Sequence, residues 1–244
     1  NLKIENYIQE VNSGEQGFVA KQTNGSVINN VNINNATIYK NGENSITVGV
    51  LAGTSNYATI KNSSVTNSKI YIESYAEKIT FGGITGSGTS VYIQNSFVQN
   101  VQVKINNILS TDGIGGIIGK NNSGTIRNCY TTGKIETNRE YEGGIAGYSA
   151  GEISNCYSTM NLISTAKYIG GIAGYVIFSP GDFMATNPIK YNVFLGNLYT
   201  TSTIDNRIVG NGELGASNLG YKEQKISGLA DNEQNVELLE NSEV

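Results

Sequence analysis

A short glycine-rich block recurs six times along the chain, and its spacing constrains the fold more than any other feature. The clearest copies are Gly115-Gly116-Ile117-Ile118-Gly119, Gly143-Gly144-Ile145-Ala146-Gly147 and Gly170-Gly171-Ile172-Ala173-Gly174. Looser copies are Gly82-Gly83-Ile84-Thr85-Gly86, Val48-Gly49-Val50-Leu51-Ala52-Gly53 and Gln16-Gly17-Phe18-Val19-Ala20. Taking Gly17, Gly49, Gly83, Gly116, Gly144 and Gly171 as equivalent gives steps of 32, 34, 33, 28 and 27 residues. Periods of this size mark arrays in which each repeat is one structural unit. Recurrence also makes each glycine motif scaffold rather than active site.

A second marker keeps the same beat. Ile28-Asn29-Asn30, Ile60-Lys61-Asn62, Ile93-Gln94-Asn95, Ile126-Arg127-Asn128 and Ile153-Ser154-Asn155 put Asn at steps of 32, 33, 33 and 27 residues. Apolar alternation follows, as in Ile33-Asn34-Asn35-Ala36-Thr37-Ile38-Tyr39, and no repeat shows a capped 3.6-residue pattern. Short strands between Gly/Asn/Ser turns at constant phase predict an all-β fold: a single-stranded, right-handed parallel β-helix of about six or seven coils with a C-terminal cap. Six coils stacked about 4.8 Å apart make a core roughly 30 Å long. Ile84, Ile117, Ile145 and Ile172 should form one inward ladder, and Ile60, Ile93, Ile126 and Ile153 another. The repeating Asn is expected at a buried corner, bonding to the Asn or turn backbone of the next coil.

Composition agrees. Of 244 residues 38% are hydrophobic and only 15% charged, and Asn is about as common as the 30 Gly. Disorder needs high net charge, and the formal charge is −4. The 2 Pro suit long ladders, which exclude a residue without a backbone donor. A net-acidic chain lacks the basic stripe that nucleic acid requires. No apolar run reaches the roughly 18 residues of a membrane-spanning helix. The chain begins at Asn1 and reads as a fragment of something larger.

The two 27-residue repeats superimpose without a gap, pairing Tyr141 with Tyr168, Tyr148 with Tyr175, Tyr130 with Tyr157, and Cys129 with Cys156. Stacked tyrosines are expected as ladder packing. Parallel Cβ vectors disfavour a disulfide, so Cys129 and Cys156 are read as two small buried thiols. Past Tyr175 the phase breaks at Phe178-Ser179-Pro180-Gly181-Asp182. Residues 1–175 are therefore assigned to the β-helix, and 176–244 to a last irregular coil, a cap and a junction to a downstream domain. Tyr191–Tyr199 reads as a strand pair, and the acidic tail as a short helix around Val236 and Leu239.

The block Gly-Gly-Ile-Ala-Gly-Tyr at 143–148, followed by Gly-Glu-Ile-Ser-Asn-Cys-Tyr-Ser-Thr at 151–159, resembles the GLUG repeat of bacterial surface proteins. A sister copy runs from Gly115 to Gly133. The longer layout adds Gln16-Gly17-Phe18-Val19, Asn192-Val193-Phe194-Leu195-Gly196 and Asp205-Asn206-Arg207-Ile208-Val209-Gly210. It is similar to the β-helical, non-catalytic N-terminal region of immunoglobulin-A-cleaving zinc metalloproteases of Gram-positive bacteria. That resemblance implies an extracellular location on the cell wall or surface. It also implies a catalytic zinc site of the His-Glu-x-x-His type, and this chain has no His. The active site of such a parent would lie in another domain.

The chemistry of the residues points the same way. Without His there is neither a Ser-His-Asp triad nor that zinc site, and 2 Cys are too few for a structural zinc. Gly113-x-Gly115-Gly116-x-x-Gly119 brushes a dinucleotide fingerprint but recurs in other coils with no helix after it. No Asp follows the Gly blocks at fixed phase, as a calcium-binding repeat would need. A polysaccharide lyase or glycoside hydrolase on this fold would need clustered carboxylates. The candidates, Asp112, Asp182, Asp205, Glu73, Glu77, Glu136, Glu140, Glu142 and Glu152, are scattered. Glu136, Glu140 and Glu142 share a stretch with Arg139, read as a solvated turn. The expectation is a non-catalytic fragment with no cofactor and no metal. Its partners would be other domains of the same polypeptide and host glycoprotein or glycan; it would be monomeric, with no nucleic-acid or membrane-insertion role. A wall rich in Asn, Thr, Ser and Tyr leaves an adhesin role open.

Overall fold

A computed structural model of the chain describes residues 1–74, 78–106, 112–138, 140–165, 167–177, 188–201, 207–212, 214–215, 217–221, 227 and 236–239. The described residues form strands and turns with no helix. Every strand pairing is parallel, and the strands line three walls of a β-solenoid of about six turns. Wall A has 14 strands, wall B six and wall C 11. Each turn visits A, then B, then C: in turn five these are Tyr130–Thr137, Tyr141–Gly143, and Ala146–Ser149 with Glu152–Ser154.

Both expected ladders are present and longer than anticipated. Backbone bonds link Leu51, Ile84, Ile117, Ile145, Ile172 and Ile208 turn by turn at 2.9–3.1 Å. On wall C, Ile28, Ile60, Ile93, Ile126, Ile153 and Ile189 pair in register. Nearly all are fully buried. Each buried Ile side chain contributes about 1.5–3 kcal/mol of transfer free energy. β-branched side chains suit such ladders because they hold one rotamer against the pleat.

The glycine blocks pack as the corner between walls B and C. A Cβ on Gly143 would lie 1.9 Å from the Ala146 carbonyl oxygen, because the chain turns back on itself within three residues. A Cβ on Gly144 would lie 2.1 Å from the Gly171 carbonyl of the next turn. The true register corrects one alignment. Gly49 pairs with Gly82, Gly82 with Gly115, Gly115 with Gly143, and Gly143 with Gly170. The Gly82-Gly83 doublet conceals this one-residue offset, and Val50 occupies the Gly83 position in turn two.

The repeating Asn is a second correction. Asn30, Asn62, Asn95, Asn128 and Asn155 have φ between 50° and 60° and are exposed rather than buried. Asn tolerates this left-handed conformation better than other side chains, and that fits it to the corner. The inward place belongs to the following residue. Ser63, Ser96, Cys129, Cys156, Asn192 and Asn218 are all buried there. The Ser63 and Ser96 hydroxyls accept from the Val31 and Ser63 amides at 3.2 Å. Asn192 and Asn218 do the same for the Cys156 and Asn192 amides at 2.9 and 3.0 Å.

The ladders run on past the 175/176 division. Ile189–Lys190, Val193–Phe194, Leu198–Thr200 and Val209–Asn211 each pair with the turn before. The tail is a strand, Val236–Leu239, paired with Asn218–Tyr221, and not the helix expected there. A four-residue helix is marginal, whereas an open sheet edge offers a row of unpaired amides and carbonyls. Phe178–Asp182 lies outside the described residues.

Candidate functional site

The acidic candidates do not converge. Glu136 projects from wall A between Lys134 at 2.7 Å and Lys104 at 3.3 Å, and those contacts hold its carboxyl below the usual range. Glu152 meets Lys190 at 3.7 Å and accepts from the Ser154 hydroxyl at 2.7 Å. Asp112 pairs with Lys120 at 3.0 Å. Glu140 is half-buried, and Glu73 lies on wall A. Glu77, Asp182, Asp205 and Arg139 lie outside the described residues. Among the described residues no three His, Cys, Asp or Glu are grouped as metal ligands would be.

Glu142 overturns the solvated-turn reading. It is fully buried on wall B, in register between Ile114 and Ile169. Phe81 and Val48 continue that ladder toward the N-terminus. Neither carboxyl oxygen has a hydrogen-bond partner. Burial pushes its pKa well above the ordinary glutamate value, and the nearby Ser164 hydroxyl only partly offsets this. Burial thus favours the neutral acid over the carboxylate.

Cys129 and Cys156 are free and buried. Each thiol points to the carbonyl two residues back, at 3.2 Å to Arg127 and 3.3 Å to Ser154. They fill the ladder places of Ser63 and Ser96. Burial, and then the neighbouring Cys129, raises the Cys156 thiol pKa, which keeps it protonated and unreactive. The glycines of 113–119 are enclosed by the backbone of adjacent turns, leaving no room for a phosphate over them.

Among the described residues two surface features stand out. A groove of about 820 Å³ follows the end of wall A across several turns, lined by polar side chains including Asn41, Glu73, Asn106 and Asn138, with Tyr199 on its flank. The second is a tile of four tyrosines at the B–C corner. Tyr141 stacks on Tyr168 with centroids 5.4 Å apart and planes 11° apart. Tyr148 stacks on Tyr175 at 6.1 Å and 24°, and Tyr141 meets Tyr148 edge-on at 6.1 Å. The two stacked pairs, and Tyr130 on Tyr157 at 5.2 Å, are those the sequence repeat anticipates. Phe97 extends the last stack at 4.7 Å.

The tile stops at turn four. There Gly113 occupies the place of Tyr141, and Lys120 the place of Tyr148. The result is a notch of about 290 Å³ lined by Asp112, Lys120, Asn122, Tyr141 and Tyr148. The Lys120 ammonium lies 5.7 Å from the Tyr148 ring centre. Burial, then the charge of Glu140, raises the Tyr141 phenol pKa. The sequence marked these tyrosines as ladder packing. That Gly113 ends the tile becomes legible only once Ile114 is aligned with Glu142.

The GLUG motif family matches residues 110–136, the sister copy noted above, a span that covers one passage through walls B, C and A. No curated protein and no solved structure matches the chain.

Proposed function

We propose that this chain is a non-catalytic scaffold of a secreted bacterial surface protein. In this reading a rigid rod positions another domain, and the parent is a zinc metalloprotease acting on a host glycoprotein such as immunoglobulin A. The observation that supports it best is the unbroken stack of in-register ladders from Ile28 to Ile189. Such a stack makes a stiff spacer whose length is set by the number of turns. The resemblance of the sequence to the non-catalytic region of those proteases favours the same parent, whose His ligands would then lie outside this sequence.

The test is to shorten the rod in the parent protein by whole turns. Loss of substrate cleavage on cells, with the soluble catalytic domain still active, is the expected result. Cleavage of immunoglobulin A by this chain alone, or release of unsaturated sugar from pectin-like polymers, would overturn it. A second reading, an adhesin module, is favoured by the tyrosine tile and its notch. Binding of the isolated chain to a glycan array would support that reading.

A further inference from the structure

We propose that the notch at the end of the tyrosine tile is a binding site for one neutral pyranose ring. The proposal deepens the adhesin reading by naming its site and ligand class, while the scaffold reading stands or falls separately.

The argument begins with the aromatic face. Tyr168 covers one side of the Tyr141 ring as the next member of the ladder. The other side faces turn four, where a side chain at position 113 would continue the stack. Gly113 has none, and it cannot easily acquire one. Its φ is +64°, and a Cβ there would lie 2.1 Å from the Gly119 carbonyl oxygen. Among the described residues no side chain continues the stack on that side, and the backbone at position 113 fixes the gap.

The walls of the notch carry polar groups of complementary kind. The Asp112 carboxylate accepts hydrogen bonds, the Lys120 ammonium donates, and the Asn122 amide does both. Asp112 and Lys120 are joined at 3.0 Å, so they present donor and acceptor with little net charge. Their side chains are 22% and 32% exposed, which leaves each reachable by a ligand. An apolar C–H face laid on Tyr141, with hydroxyls turned toward this pair, uses every one of these groups. The charge balance selects a neutral sugar over a uronic or sialic acid. The volume, about 290 Å³, lies at the small end of the range for ligand pockets and admits one ring rather than a chain.

The test uses the intact chain with isotope-labelled backbone amides. The probes are the methyl glycosides of glucose, galactose and N-acetylglucosamine, with galacturonic acid and a proline-rich peptide as contrasts. At least one neutral glycoside should shift the amides of Asp112, Lys120, Asn122, Tyr141 and Tyr148 and show saturation transfer to its ring protons. Affinity should be millimolar. Tyr141→Leu should weaken it about tenfold, the loss of one stacking contact together with the surface it covers. Tyr141→Phe should retain binding. Asp112→Asn, a surface change that leaves the tile untouched, should weaken it several-fold. Tyr39→Leu on wall A should have no effect. No shift with any of the three glycosides at tens of millimolar would overturn the proposal. So would a preference for galacturonic acid, or for the peptide, at these residues.

Discussion

The early turns and the late turns of this solenoid share an interior and differ at their corners. Turns two to four repeat every 32–33 residues and carry, besides the Asn row that runs on to Asn155, a second row of exposed left-handed corners at Asn35, Asn67 and Asn100. Side-chain amides link parts of these rows, as from Asn100 to Asn67 and from Asn128 to Asn95 at 2.8 and 3.1 Å. The later turns repeat every 27–28 residues and carry the tyrosine tile. Between turns four and five the register shortens by one residue between Val98 and Val101, by four between Ile105 and Ile114 and by one between Asn121 and Thr125, whereas the two shifts around Gly88–Val91 cancel. Opposite Val101 stands Gly133 with φ 129°, and the second Asn row ends at Asn100. The inward Ile ladders cross this junction without a break. Inner packing thus fixes the layer, corners set the length of the turn, and the outer surface is free to diverge. Differences relevant to binding are to be sought on the outside.

The sharpest way to break the comparison is Gly144→Ala. In the late turns the added methyl meets the backbone of Gly171, so denaturation should show a loss above about 4 kcal/mol or no folded protein. The same place in turn two already holds buried Val50, so Val50→Ala should cost only about 1–3 kcal/mol there. Next come Ile84→Ala and Ile145→Ala, one from each half. If the halves share one core, each loses about 2–5 kcal/mol by urea midpoint. A loss confined to one half would separate them.

Glu142 distinguishes the late half by a buried carboxyl where the early half has Val48 and Phe81. Its folded pKa is raised, so its contribution is full below the ordinary glutamate value of 4.5. It is lost as pH rises through the folded value. The Glu142 contribution should therefore fall from acid toward neutral pH, opposite in sign to that of the lowered, largely exposed Glu136. Glu142→Leu should flatten that slope and add about 1–4 kcal/mol at pH 7, read from urea titrations across the range. Asn95→Ala, at φ 50°, should cost about 1 kcal/mol, and Asn95→Gly much less. The smallest effect belongs to Cys129→Ser, which restores the residue of Ser63 and Ser96 and should stay within about 0.5 kcal/mol.

What was legible in the sequence was whatever repeats with a period. Ile117, Ile145 and Ile172 announce themselves because alternation and glycine spacing agree. Glu142 was missed because its neighbours Glu136 and Glu140 look like a solvated turn. Only its phase against Ile114 and Ile169 reveals that it points inward. The corner Asn was expected one place too deep, since Ile-x-Asn does not say which of two adjacent polar residues faces the core. The serine and cysteine members of the inward ladder were there to be read in the residue after Asn62, Asn95, Asn128 and Asn155, but the corner becomes Tyr191 and Ser217 before Asn192 and Asn218. The tail strand left no local signal, because its partner is an exposed edge rather than a pattern within its own residues.

The central claim, that matching residues of successive turns lie directly over one another, is tested most directly by methyl nuclear Overhauser contacts among labelled isoleucines. Neighbouring turns lie about 4.8 Å apart and alternate turns about twice that. Strong cross-peaks between Ile117 and Ile145 and between Ile145 and Ile172, much stronger than any between Ile117 and Ile172, are the predicted result. Absence of the first two, or equal intensity for all three, would contradict the stack.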